Sequence, residues 1–283
     1  RMMNGYLHGS SYSPIDVTKL RERVPPLTGG GPNSRLPIIG AMVHEEAAVC
    51  RHDGVAWGYA RSASNRGVEI HQHTEVKSLL RDNDGTIKGV ETNRGTVLAD
   101  KVAVVVSGHT TTITQTAGLR LPVKSFNLAA FVSEPVKPLI NVIVNCPDLG
   151  VYLNQSDKGE LVIGGAPDPG QSFRRDMKQN VFEDAVVNML ELFPAFRRLK
   201  LLRQWGGVLD IAHDATPIIS TTEIPGLFVS CGWWGGFKAV PAGGYSLAHL
   251  IATGQPHNIA APFTLDRFRH LDFIVESGTT TAR

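Results

Sequence analysis

The chain has 283 residues, 42% of them hydrophobic, enough to bury one large core or two interleaved ones. Its 28 Lys+Arg nearly balance 26 Asp+Glu, which excludes the strong field suited to nucleic acid or an anionic membrane. The three cysteines, Cys50, Cys146 and Cys231, are scattered and form no C-x-x-C pair, which predicts a reducing, cytoplasmic setting rather than a disulfide scaffold.

The opening residues 1–5 are polar and loop-like, carry no secretion-signal pattern, and read as the start of a truncated chain. Helical spacing over 16–24 predicts a helix stopped by Pro25-Pro26. After the Gly29-Gly30-Gly31-Pro32 loop, 36–43 is a short apolar strand. Residues 51–65 form the next helix, with Asp53 as N-cap, Gly67 past its end, and Val55, Ala56, Tyr59, Ala60 and Ala63 on one stripe.

Strands follow at 68–72, 76–81 and 87–92, the last two joined through Asp82-Asn83-Asp84-Gly85 as a hairpin. Residues 97–100 and 102–107 extend that sheet, and the β-branched or small run 102–106 suits a strand buried on both faces. That run is far shorter than the ~18 residues that span a bilayer. A helix begins at Thr110. Strands at 129–132, 151–154 and 161–164 come next, the latter two joined by the turn Ser156-Asp157-Lys158-Gly159. An amphipathic helix over 179–192 stops before Pro194, and a buried strand at 226–231 precedes a helix at 244–252 closed by Gly254. The mixture of hairpins, crossovers and helices predicts an α/β or α+β fold.

The most informative segment is 226–251. A buried strand enters a turn carrying Gly232, Gly235, Gly236, Phe237 and Lys238, and a helix opens at Pro241, Gly243 and Gly244. Glycines let the backbone approach a ligand closely, and a helix N-terminus offers free N–H groups to an electron-rich partner. An ordinary strand–loop–helix crossover accounts for the same glycines. Just upstream lies Asp214-Ala215-Thr216-Pro217-Ile218-Ile219-Ser220.

Together these segments resemble the C-terminal signature of the glycine-oxidase and D-amino-acid-oxidase group of flavoenzymes. Four further segments, 51–61, 152–163, 202–207 and 256–268, narrow the likeness to the beta subunits of heterotetrameric sarcosine oxidases, over almost the whole chain. The resemblance implies an FAD-dependent amine oxidase fold, with a flavin domain at 51–115 and 209–265. A substrate domain on an antiparallel sheet would interleave with it at 1–50 and 116–208, followed by a tail at 266–283.

The same likeness implies non-covalent FAD against Gly232, Gly235, Gly236, Phe237, Pro241, Gly243 and Gly244. It implies covalent FMN on His52, in the run Arg51-His52-Asp53-Gly54-Val55-Ala56-Trp57. Lys238 would hold the carboxylate of sarcosine or a similar secondary amino acid, and alpha, gamma and delta subunits would complete a heterotetramer.

Two features depart from the family. The loop 231–238 is one residue shorter than the usual Cys-Gly-Trp-Gly-Thr-Gly-Gly-Phe-Lys, with Trp234 inserted. No Gly-x-Gly-x-x-Gly turn is present, and Gly164-Gly165-Ala166-Pro167-Asp168-Pro169-Gly170 has the wrong spacing and two prolines. The resemblance therefore places the first Rossmann unit upstream of Arg1.

Other residues have plainer readings. His71 and His73 would share one strand face, too few ligands for a zinc site, and no metal is expected. Trp205, Trp233 and Trp234 could wall a flavin or simply fill core. No nucleophile elbow or H-E-x-x-H is present. Two alternatives stay open: another amino-acid oxidase subunit acting on glycine, proline or an opine, and a non-catalytic flavin-binding remnant.

Overall fold

The computed structural model describes residues 11–274. The polar opening at 1–5 and the last part of the expected tail, 275–283, lie outside the described residues. In chain order the elements are β1 (Tyr12–Ile15), α1 (Val17–Arg23), β2 (Ala41–His44), α2 (His52–Ser64), β3 (Val76–Arg81), β4 (Ile87–Thr92), β5 (Gly95–Leu98) and β6 (Val102–Val104). They continue with α3 (Thr110–Gln115), β7 (Val123–Pro135), β8 (Val144–Cys146), β9 (Val151–Gln155), β10 (Glu160–Gly164), α4 (Gln179–Leu192) and β11 (Leu201–Ala212). The last are β12 (Ile218–Thr221), β13 (Leu227–Cys231), α5 (Val240–Thr253) and α6 (Asp266–Arg269).

The chain divides into two compact units built from alternating segments. The first gathers Arg1–Val68, Asn127–Asp168 and Arg174–Gly207; the second gathers Glu69–Phe126, Pro169–Phe173 and Val208–Arg283. The division groups residues 51–68 with the first unit.

An antiparallel five-stranded sheet, ordered β11-β7-β10-β9-β8, supports the first unit. Alternate residues of its strands point one way into a core: Phe131, Leu153, Leu161 and Ile163 are fully buried against Ala185, Met189 and Leu192 of α4. Gln155 organises the neighbouring loop. Its Oε1 accepts from the N–H groups of Leu139 and Ile140 at 2.7 and 3.1 Å, and its Nε2 donates to the carbonyls of Val136, Lys137 and Gly159. Asp16 caps α1 by accepting from Lys19 N–H at 2.8 Å.

Two expectations change in this unit. The strand read at 36–43 is confined to β2, which pairs with β1, because only Ala41–His44 finds a ladder partner. In α2 the N-cap is Arg51, not Asp53, and no residue of the helix is buried. Val55, Ala60 and Ala63 are half-covered, while Ala56, Tyr59 and Trp57 face solvent.

The second unit holds two three-stranded sheets, the meander β3-β4-β5 and the mixed sheet β12-β13-β6, in which β13 runs parallel to β6. Leu79, Ile87, Val104, Ile218, Leu227, Val229 and Cys231 form its core. Leu247 and Leu250 of α5 pack on Ile219 and Phe228 of the mixed sheet in a second cluster.

Three readings are corrected here. Residues 68–72 are not a strand but lie in irregular chain ahead of a turn at His73, where φ is +55°. β6 does not extend the meander but joins β13. Nor is its run buried on both faces. Val104 is covered, whereas Val105 and Val106 are 56% and 45% exposed, because β6 is the edge of a sheet of three.

Arg267 staples the last described segment to this unit. Its guanidinium donates to both carboxylate oxygens of Asp214, at 2.7 and 3.0 Å, and to the carbonyls of Thr216 and Thr264. Both side chains are under 5% exposed. Burial works to raise the Asp214 carboxyl, but Arg267, aided by the N–H groups of Ile274 and Thr216, outweighs it and holds the group below the ordinary carboxylate range.

Candidate functional site

All five residues of β13 are buried, so this strand is fixed before its chain turns. Its register beside β6, Leu227 to Val102 and Val229 to Val104, brings two parallel strand ends out on the same side. In open α/β sheets the carboxyl ends of strands are where ligands settle. From β6 the chain continues to Ser107, and from β13 to Gly232.

Asp210 of β11 lies between those two ends, 2% exposed. Its Oδ2 accepts from the Gly232 N–H at 2.5 Å and its Oδ1 from the Ser107 hydroxyl at 3.1 Å. Its carbonyl accepts from the Trp234 N–H at 3.1 Å. Three left-handed backbones meet around it: Ser107 at φ +48°, Gly232 at +73° and Trp234 at +32°. For the two residues with side chains such conformations cost on the order of 1–3 kcal/mol each and persist only where surrounding bonds dictate them. Asp210 escaped the sequence reading, although a lone carboxylate inside the apolar run Val208-Leu209-Asp210-Ile211-Ala212 was a visible signal.

The glycines of the turn separate into two kinds. A Cβ on Gly232 would sit 2.7 Å from that of Ala212, and one on Gly243 would sit 2.5 Å from the Trp233 ring. Gly236 likewise lies against Trp233, whose indole N–H donates to Ser230 Oγ at 3.0 Å. These three serve internal packing, with Trp233 as the floor under the start of α5. A Cβ on Gly235 or Gly244 would meet nothing within 4 Å. Open space there is flanked by exposed Trp234 and Phe237.

A 3-10 turn over Gly236–Ala239 leads into α5, which begins earlier than the glycine pattern suggested. No side chain caps it, and Pro241 occupies the first turn, where a missing N–H costs nothing. The Val240 N–H donates to the Phe237 carbonyl, so the 3-10 turn runs on into the helix and its positive end, which no side chain caps, lies ahead of Gly244. Lys238 is exposed, and its Nζ rests on the Gly235 carbonyl at 3.2 Å. Cys231 just beneath is inert: burial, with the nearby Asp210 charge, pushes its thiol far above the usual range.

Of the remaining candidates, His52 and Trp205 lie in the first unit and His71 in the second. His52 is the first residue of α2 and is exposed, its ring making no hydrogen bond to a described residue. Arg51 bridges to Asp53 at 3.1 Å and holds that carboxyl low, while Asp53 also accepts from Gly54 N–H at 2.8 Å. Trp205 is 41% exposed under the Arg203 guanidinium, 5.7 Å from its ring centre. His71, in irregular chain, sits 3.2 Å from Glu69. Among the described residues no three His, Cys, Asp or Glu side chains gather as a metal would require.

The donor set fits the ring end of a flavin. An uncapped helix end suits its electron-rich edge, and exposed aromatic side chains with open space beside Gly235 and Gly244 suit its flat face. The glycine-rich turn that would grip a pyrophosphate is not within this sequence.

Comparison with known proteins shows the family. The model of the family described as DAO, FAD dependent oxidoreductase, matches residues 6–250. The sarcosine oxidase beta subunit of Rhodobacter capsulatus is 44% identical over 93% of this chain and 63% of its own length. That of Rhizobium meliloti is 41% identical over 96% of this chain and 65% of its own. The chain thus spans a little under two thirds of these relatives. Among solved structures, an L-proline dehydrogenase from P. horikoshii superposes with a TM-score of 0.82 at 24% identity, covering 93% of this chain and 70% of that one. A glycine oxidase from Geobacillus kaustophilus gives 0.80 at 22% identity, covering 92% and 68%. At these identities the structures establish the fold.

Proposed function

The chain belongs to the family of FAD-dependent oxidoreductases, and from that premise we propose that it acts as the beta subunit of a heterotetrameric sarcosine oxidase, converting sarcosine oxidatively to glycine. The observation that carries this reading is the sustained likeness to sarcosine oxidase beta subunits along more than nine tenths of the chain. Alpha, gamma and delta subunits are the proposed partners. A cytoplasmic setting is proposed on the three free cysteines; no described helix is long and apolar enough to cross a membrane.

When bound, FAD supplies the acceptor for a hydride equivalent from the N-methyl carbon, and FMN the onward path for electrons to oxygen. This chain's residues do the rest. The uncapped end of α5 favours negative charge on the ring edge as it is reduced. Lys238 holds the substrate carboxylate. Its ammonium need give up only the single bond to the Gly235 carbonyl to do so. The same cation disfavours the ammonium form of the substrate, leaving the neutral amine that can react. Loss of hydride leaves an iminium, which water hydrolyses to glycine and formaldehyde. His52 carries FMN through a ring nitrogen, a role suited to an exposed imidazole with no competing hydrogen bond among the described residues.

The test is product identity. Protein expressed from its full reading frame with partner subunits is given sarcosine labelled in the methyl group. Glycine and labelled formaldehyde are expected in equal amounts. Turnover of proline or glycine with none of sarcosine would overturn the reading.

A further inference from the structure

We propose that Asp210 is a positioning residue for the flavin-facing turn, an assignment that deepens the amine-oxidase reading and rests on it for its catalytic consequence. One buried carboxylate joins the ends of both parallel strands. Oδ2 takes the first N–H of the turn, at Gly232, and Oδ1 takes the Ser107 hydroxyl that ends the β6 run. The Asp210 carbonyl takes the Trp234 N–H, two residues on. Ile211, next along β11, bridges Trp233, the floor of the helix start.

The two non-glycine residues here with left-handed backbones, Ser107 after β6 and Trp234 in the turn, are both tied to Asp210. The turn carries the bulky Trp234 at φ +32°. Without these bonds it has no internal reason to keep that shape. Among the described residues Asp210 forms no ion pair, and its side chain is spent wholly on two backbone-ordering contacts. Lys238 and Gly235 follow within the same turn, so Asp210 acts through them and touches no reacting atom.

Asp210→Ala frees both donors. Asp210→Asn can keep both contacts, its oxygen accepting from Gly232 N–H and its amide donating to Ser107 Oγ, which already lies 3.4 Å from the Val208 carbonyl. Hydrogen–deuterium exchange is measured on the protein regardless of its flavin content. In Asp210→Ala, which keeps the Trp234 bond to the main-chain carbonyl at 210, the Gly232 amide is expected to exchange about ten- to a hundred-fold faster, as loss of a charge-assisted bond dictates, and the amides of 233–238 to exchange faster with it, while β13 stays protected. Asp210→Asn returns the protection. In the flavin-loaded enzyme Asp210→Ala lowers kcat with flavin content unchanged, and Asp210→Asn restores most of it.

Ser107→Ala, which opens no buried cavity, covers the case in which Asp210→Ala does not fold, and is expected to move exchange in the same direction by a smaller factor. Unchanged exchange at 232–238 in the folded Asp210→Ala protein, or in Ser107→Ala should the former not fold, would overturn the assignment. A protein that oxidised no amine yet showed the exchange change would overturn the functional reading alone.

Discussion

Lys238 is the residue whose surroundings and proposed role differ most. At rest it is a solvated ammonium touching only a carbonyl of its own turn. A charge-assisted bond to a carboxylate is worth about 1.5–3 kcal/mol, and ~1.4 kcal/mol is a factor of ten. Lys238→Met should therefore weaken acetate-like inhibitors by about ten- to a hundred-fold while flavin content holds, as read by spectral titration. Unchanged affinity would return the side chain to plain solvation. Asp214 makes the opposite case, a carboxylate with a structural task. Its folded-state pKa is depressed, so its stabilisation is present above the unfolded value near 4 and is lost as pH falls through the folded one. Asp214→Asn, which leaves Arg267 charged in a buried site, should cost about 3–5 kcal/mol at neutral pH. The gap to the unaltered protein should shrink at pH ~3, measured by denaturant unfolding at both pH values. A gap of equal size at both would contradict the account.

At the scale of the element, β13, its turn and α5 were legible because each carries a local signal: an apolar run, clustered glycines, and a helical pattern closed by Gly254. The same rules failed on β11. Arg203 and the Gly206-Gly207 pair break its alternation, and only pairing with β7 makes it a strand. They also failed on β6, where composition suggested two covered faces and position at a sheet edge decided otherwise. The glycines alone could not be sorted from sequence, since packing against Trp233 and openness to a ligand ask for the same residue. Two substitutions separate them. Gly243→Val drives a side chain into the Trp233 ring and should destabilise by roughly 1–3 kcal/mol. Gly244→Ala meets nothing and sits in a helix, so it should stabilise the flavin-free protein by about 0.5–1 kcal/mol while lowering flavin affinity. Thermal melts with and without FAD check both. A Gly244→Ala protein that bound flavin as well as before would mean the open space is not the flavin's.

Across the whole molecule, alternating segments of the chain build two cores. That interleaving is written in long-range pairing and not in composition. His52 stands on α2, a helix that buries none of its residues, so its replacement should leave the fold intact. His52→Ala co-expressed with partner subunits should lose acid-stable flavin and keep an unchanged melting temperature. An adduct found on another residue would remove His52 from the account. The central claim, that this protein oxidises the N-methyl carbon of sarcosine, is tested most directly by mixing the flavin-loaded enzyme with sarcosine in the absence of oxygen and following the visible flavin band. Bleaching that saturates with sarcosine and returns on admitting air is the predicted result; a band that sarcosine leaves untouched at every concentration would contradict it.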